Sequence, residues 1–208
     1  MITHNEASQN ATTPEMAIQL LKDGNKRFLH DTSIERDYHY QIKETSKGQF
    51  PFAIVLSCVD SRIPTEIIFD KGIGDLFNAR IAGNFVNEDI LGSMEFACKL
   101  SGAKLIVVMG HTACGAVKGA CDNAELGNLT GLLNKLKPAI AQVETDPDTD
   151  RSSKNSKFVD DVALKNVEIT IEDIKNKSDV LNEMYQNKEI DIVGTMYNIE
   201  TGEVNFIK

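Results

Sequence analysis

The chain has 208 residues, 41% hydrophobic and 25% charged, which suits a globular protein with one well-buried core and excludes collagen-like, fibrous and disordered classes. Its 22 Lys and Arg against 31 Asp and Glu give a formal charge of −9, which repels a phosphate backbone and argues against a nucleic-acid partner. The longest apolar runs, at 52–56 and 105–109, are strand-sized and far below the roughly 18 to 20 residues that cross a bilayer.

Residues 1–13 are polar and carry no signal or transit pattern, so a cytoplasmic location without a membrane partner is expected. Thr13-Pro14-Glu15 starts a helix, a hydroxyl cap before a first-turn proline. Met16, Ile18, Leu20, Leu21 and Phe28 give that helix one apolar side to about residue 30, and residues 1–30 are expected to form an amino-terminal arm. Residues 31–50 are polar and punctuated by Gly48. The apolar run at 52–56 reads as a parallel strand covered on both faces, with Cys58 at its carboxyl end. A short helix after Pro64 and a second strand near 75–79 follow.

Asn87 caps the next helix, with Glu88 and Asp89 in its first turn, Ile90, Leu91, Met94, Ala97 and Cys98 at helical spacing, and Gly102 as its stop. The run at 104–109 is a third strand, delivering His111. Stretches 113–121 and 126–143 read as helices, 145–157 as a polar surface loop containing Pro147, and 158–187 as helical. Runs at 190–198 and 204–207 read as strands joined by a turn at Gly202. This alternation predicts one α/β domain over 1–208: a mainly parallel central sheet flanked by helices, closed by an antiparallel edge strand.

Four cysteines are too few for a disulfide scaffold, which leaves metal or catalytic use open. Cys98 and Cys121 sit among small and apolar neighbours and read as buried hydrophobes. Cys58, His111 and Cys114 fall just beyond strand ends, where open α/β sheets gather reactive groups. Two thiolates and an imidazole are donors that zinc prefers, and three protein ligands leave a tetrahedral ion one exchangeable position. The bland alternatives are a hydrogen-bonded turn histidine, inert buried thiols, and a surface ion pair for Asp60 and Arg62 that contributes on the order of 0 to 1 kcal/mol.

Cys58-Val-Asp60-Ser-Arg62 resembles the C-x-D-S-R motif of the beta class of carbonic anhydrases, and His111-Thr-Ala-Cys114-Gly115 resembles its H-x-x-C-G motif, in the same order and separation. The resemblance extends to Gly74-Asp75-Leu76-Phe77, Ala82-Gly83-Asn84, the helix around 94–97 and Tyr197-Asn-Ile-Glu-Thr-Gly202. It covers nearly the whole chain from Pro14.

The resemblance implies one zinc ion per chain on Cys58, His111 and Cys114, with water as fourth ligand at a pKa lowered from 15.7 to roughly 7, and reversible hydration of CO2 to bicarbonate and a proton. It implies that Asp60 orients the nucleophile and that Arg62 keeps Asp60 ionised and aligned. Substrate would meet Gln49, Phe77, Ala82, Phe96 and Gly115. Phe96 replaces a tyrosine common in the family and Ile81 an asparagine. The family builds its pocket between subunits, so a homodimer or a multiple of it is expected, with Gln49, Phe77 and Phe96 acting across the interface. Family members whose resting site closes typically carry a tryptophan that this chain lacks, and Gln49 resembles the open type, so the resemblance implies a resting site in which Asp60 stays with Arg62. Alternatives are a carbonyl sulfide or carbon disulfide hydrolase on the same scaffold, or a non-catalytic protein with a structural zinc. A dinucleotide-dependent dehydrogenase is set aside because Phe77 stands where the fingerprint after Gly72-Ile-Gly74 needs glycine.

Overall fold

Five strands make one sheet in the order β2-β1-β3-β4-β5, with β1 at Ala53–Ser57, β2 at Leu76–Arg80, β3 at Leu105–His111, β4 at Asp191–Tyr197 and β5 at Val204–Ile207. The computed structural model describes residues 3–207. The first four strands are parallel, and β5 returns antiparallel to β4, pairing Val204 with Tyr197 and Ile207 with Gly194. This is the α/β architecture expected from the alternation of elements.

Every residue of β1 and β3 is buried, as continuous apolar runs require when both faces of a parallel sheet are covered. Ile54, Leu56, Ile106 and Val108 pack into one core. Ala53, Val55, Leu105, Val107 and Met109 pack into the other, which also holds Cys58 and Cys114. Because the strands run in register, Ser57, Met109 and Thr195 sit side by side at the carboxyl edge of the sheet, with Arg80 beside Ser57 and Tyr197 beside His111.

The helices are α1 Glu6–Ala11, α2 Pro14–Leu29, α3 Tyr38–Thr45, α4 Thr65–Ile68, α5 Glu88–Glu95, α6 Gly115–Cys121, α7 Gly127–Leu133, α8 Lys137–Gln142, α9 Ser156–Lys177 and α10 Asp179–Gln186. Two of them, α1 and α3, lie in segments that show no helical pattern in the sequence. Each buries a single glutamine rather than an apolar face. Gln9 donates to Pro51 O and Ser101 O, both at 2.7 Å, and Gln41 accepts from Ile73 N at 3.1 Å. Hydrophobic periodicity cannot report a helix anchored in this way.

The stretch 126–143, expected as one helix, is broken into α7, a 3-10 turn at Asn134–Leu136 and α8. Pro138 lies in the first turn of α8, where its missing N–H is harmless, whereas a continuous helix would have needed that donor. The 158–187 stretch divides at Ser178, whose Oγ accepts from Leu181 N at 3.2 Å as the cap of α10. The surface loop expected at 145–157 ends two residues early, because Asn155 caps α9 by accepting from Phe158 N.

Part of the expected amino-terminal segment packs on the chain's own core. Ala17 and Leu21 are fully buried, and a Cβ on Gly24 would stand 1.8 Å from Phe69 O, so only glycine lets α2 lie this close to α4. Asn25 donates to Ile68 O at 3.1 Å and to Gly202 O at 3.0 Å, and accepts from Val204 N at 3.0 Å. That one side chain ties α2, α4 and β5 together. Asn25→Ala leaves three backbone groups without partners and is expected to lower the urea-unfolding free energy by at least about 2 kcal/mol, whereas Gln19→Ala on the exposed side of α2 should change it by less than about 0.5 kcal/mol.

Candidate active site

Three of the residues singled out by the sequence converge at the carboxyl edge of the sheet. Cys58 follows β1, His111 ends β3 and Cys114 caps the start of α6. Their ligand atoms all lie within 4.8 Å of one another, with Cys58 Sγ and Cys114 Sγ 4.0 Å apart. All three are buried, His111 completely.

The turn that brings Cys114 back beside His111 passes through Ala113 at φ 54, a left-handed conformation that costs an alanine roughly 1 kcal/mol or more. Neighbouring contacts hold it. Ala113 N donates to Asp160 Oδ1 at 2.8 Å, Thr112 N donates to Tyr197 O at 3.0 Å, and Thr112 Oγ1 accepts from Ile199 N at 3.1 Å.

His111 shows its tautomer through its contacts. Nδ1 lies 2.9 Å from Thr112 O, and a carbonyl can only accept, so Nδ1 carries the proton and Nε2 presents a lone pair. Among the described residues that buried Nε2 has no hydrogen-bond partner. An orphaned acceptor facing two thiols in a dry site is an arrangement that a divalent ion satisfies. The donor set, two sulfurs and one imidazole nitrogen, fits zinc.

The thiols couple to each other. A hydrogen bond from Cys114 holds the Cys58 thiol down to about 4, and the same contact, with burial, pushes the Cys114 thiol up. The opposite directions mean that the pair favours a single negative charge, on Cys58, over two. Gly83 N also donates to Cys58 Sγ at 3.4 Å.

Asp60 and Arg62 stand beside the cluster as a matched pair. Asp60 Oδ1 accepts from Arg62 Nε at 2.9 Å and from Arg62 N at 3.0 Å, and Oδ2 accepts from Arg62 Nη2 at 2.7 Å. Hydrogen bonding from Arg62 holds the Asp60 carboxyl well below the usual carboxylate range. Arg80, which the sequence reading overlooked, donates from Nε to Cys58 O at 3.0 Å and from Nη2 to Asp60 O at 2.6 Å, clamping the backbone that carries both groups. Its one signal in the sequence is its position as a charged residue at a strand's carboxyl end.

The remaining candidates divide. Gly115 begins α6 exposed, with nothing within 4 Å of where a Cβ would stand, and half-buried Ala82 adjoins Gly83. Phe77 and Phe96 pack edge to face, ring centroids 6.0 Å apart, but Phe77 packs on the core of the opposite sheet face from Cys58. Exposed Gln49 precedes the amino-terminal end of β1, a full strand length from Cys58. The subunit thus does not bring Gln49, Phe77 or Phe96 to its own cluster.

A protein-family model described as "Carbonic anhydrase" matches residues 53–204. Carbonic anhydrase 2 of Mycobacterium tuberculosis is 33% identical over 195 residues, covering 92% of this chain and 91% of that protein. The chain belongs to the beta-class carbonic anhydrases. Carbonic anhydrase of Mycolicibacterium smegmatis is 32% identical, with 93% of each chain covered. Among solved structures, the beta-carbonic anhydrase CafA of Aspergillus fumigatus superposes with a TM-score of 0.70 at 25% identity, covering 82% of each chain.

Asp160 is the side chain on which the His111–Cys114 turn hangs. In Asp160→Leu, hydrogen exchange at the Ala113 amide is expected to accelerate by about tenfold or more, whereas Asp160→Asn, which keeps an acceptor oxygen, should leave it near the parent rate.

Proposed function

We propose that the protein catalyses the reversible hydration of CO2 to bicarbonate and a proton, with one zinc ion per chain held by Cys58, His111 and Cys114. The observation that carries this reading is the buried Cys-His-Cys cluster with its unpartnered Nε2, set beside an aligned carboxylate–guanidinium pair. When bound there, zinc supplies a Lewis acid that makes water nucleophilic near neutral pH.

The chain's own groups do the rest. Asp60, ionised across the physiological range, accepts a hydrogen bond from the attacking water and aims its lone pair at the substrate carbon. Arg62 fixes the rotamer and charge of Asp60, and Arg80 fixes the backbone on which both act. Gly115 leaves open space for a small linear substrate, and Ala82 offers it an apolar wall.

A purely structural zinc would need a fourth protein ligand. Among the described residues the cluster of His, Cys and carboxylate side chains stops at three, and Asp60, paired with Arg62, is not one of them. That supports a working site.

The pocket is completed, in this reading, by a second subunit that contributes Gln49, Phe77 and Phe96 in a homodimer or a multiple of it. Val59, beside Cys58, is 55% exposed, with Ile67 at 60%, Phe96 at 50% and Leu100 at 77%, apolar surface that a partner would cover. Beta-carbonic anhydrases of Sordaria macrospora are described as tetrameric; one superposes with a TM-score of 0.70 at 24% identity. No helix among the described residues is long and apolar enough to cross a membrane. A cytoplasmic setting belongs to the same reading, since thiolate ligands stay reduced there.

Stopped-flow measurement of CO2 hydration tests the proposal. Zinc-loaded protein should be active and chelated protein inactive. Asp60→Asn and Arg62→Ala should retain zinc yet lose at least about tenfold in kcat/KM. Full activity after chelation, or faster turnover of carbonyl sulfide than of CO2, would contradict it.

A further inference from the structure

Gly83 lies in the turn after β2 at φ +81, and a Cβ there would come within 2.9 Å of Leu136 Cδ1. Glycine is needed for both reasons, and the same freedom leaves the direction of its N–H undetermined by the turn alone. That N–H is the group donating to Cys58 Sγ.

The residue holding Gly83 comes from a distant part of the chain. Asn166 on α9 is 3% exposed and donates from Nδ2 to Gly83 O at 2.8 Å. One turn further along α9, Thr170 Oγ1 donates to Asn84 O at 3.5 Å. The buried stripe of α9 is otherwise mostly apolar, with Val159, Val162, Ala163, Val167 and Ile174 around Asn166. Placing a primary amide there costs free energy unless its donors find partners, and the core gains no packing advantage from it.

We propose that Asn166 is a positioning residue for the metal centre, holding Gly83 so that its N–H stays on Cys58 Sγ and limits the charge that sulfur gives to a bound ion. The proposal rests on Cys58 being a metal ligand. A hydrogen bond to a ligating thiolate withdraws electron density from the sulfur, and the ion it binds becomes a stronger Lewis acid. Asn166 touches neither substrate nor metal, so its effect passes through the backbone of Gly83, from the carbonyl it holds across Cα to the N–H on Cys58. Asp160, six residues earlier on α9, grips the other ligand loop at Ala113, so one helix braces both.

The test compares full-length parent, Asn166→Leu and Val162→Ala, each loaded with cobalt or zinc. Val162→Ala hollows the same helix face while keeping the bond to Gly83. In Asn166→Leu the sulfur-to-cobalt charge-transfer band should move to lower energy and the midpoint of the kcat/KM pH profile to higher pH. Val162→Ala should lower Tm and move neither.

In the parent loaded with cadmium-113, a through-hydrogen-bond coupling should connect the metal to the Gly83 amide proton, and it should weaken in Asn166→Ala, the variant that tests the proposal if Asn166→Leu does not fold. An unmoved band in Asn166→Leu, an equal movement in Val162→Ala, or absence of the coupling would overturn the proposal. If Cys58 is not a ligand, Cys58→Ser leaves the parent's band undiminished. Failure of the Asn166 proposal alone leaves a Cys58-dependent band that ignores Asn166.

Discussion

Two sulfurs 4.0 Å apart, buried with an imidazole acceptor that nothing else satisfies, cannot both carry charge without a cation to share. That constraint organises the carboxyl edge of the sheet. The fold has to bring together groups more than fifty residues apart in sequence, hold them where water is excluded, and leave one side open. Parallel strands do this economically, because neighbouring strands end on the same edge. β1 delivers Cys58, β3 delivers His111, and the turn into α6 returns Cys114 to the same point.

The supports of the site are as specific as its ligands. A left-handed alanine between His111 and Cys114 persists because Asp160 accepts from its N–H and the Tyr197 carbonyl accepts from the N–H just before it. The loop carrying Cys58 and Asp60 is fixed by Arg80 through two carbonyls, and Asp60 is fixed by Arg62. Asp160 and Arg80 are charged side chains committed to backbone groups, where a surface ion pair would contribute little. Each of these contacts gives a backbone or carboxylate group of the site a defined partner.

Much of this was legible in the chain itself. The strands were visible as apolar runs because a parallel sheet buried on both faces needs no alternation, and the caps at Thr13 and Asn87 marked helix starts to within a residue. Cys58, His111 and Cys114 stood out because soft and imidazole donors at two strand ends have few other uses. Helices α1 and α3 were invisible because glutamines anchor them, and the break within 126–143 turned on the position of Pro138. Asp160 and Asn166 were hidden by distance, since nothing local links a polar residue on α9 to a loop more than forty residues away. Asn166 did leave a trace, a lone amide in an apolar stripe. Gln49, Phe77 and Phe96 were picked out by resemblance, and one subunit leaves them away from its own cluster, where a partner's site could receive them.

X-ray absorption at the zinc edge of the parent and of Cys114→Ser is the most direct check on the central constraint. The account predicts one zinc per chain in the parent with two sulfur neighbours and light-atom neighbours that include one imidazole, and loss of tightly held zinc in Cys114→Ser. A parent spectrum without two sulfurs, or full zinc occupancy in Cys114→Ser, would contradict it.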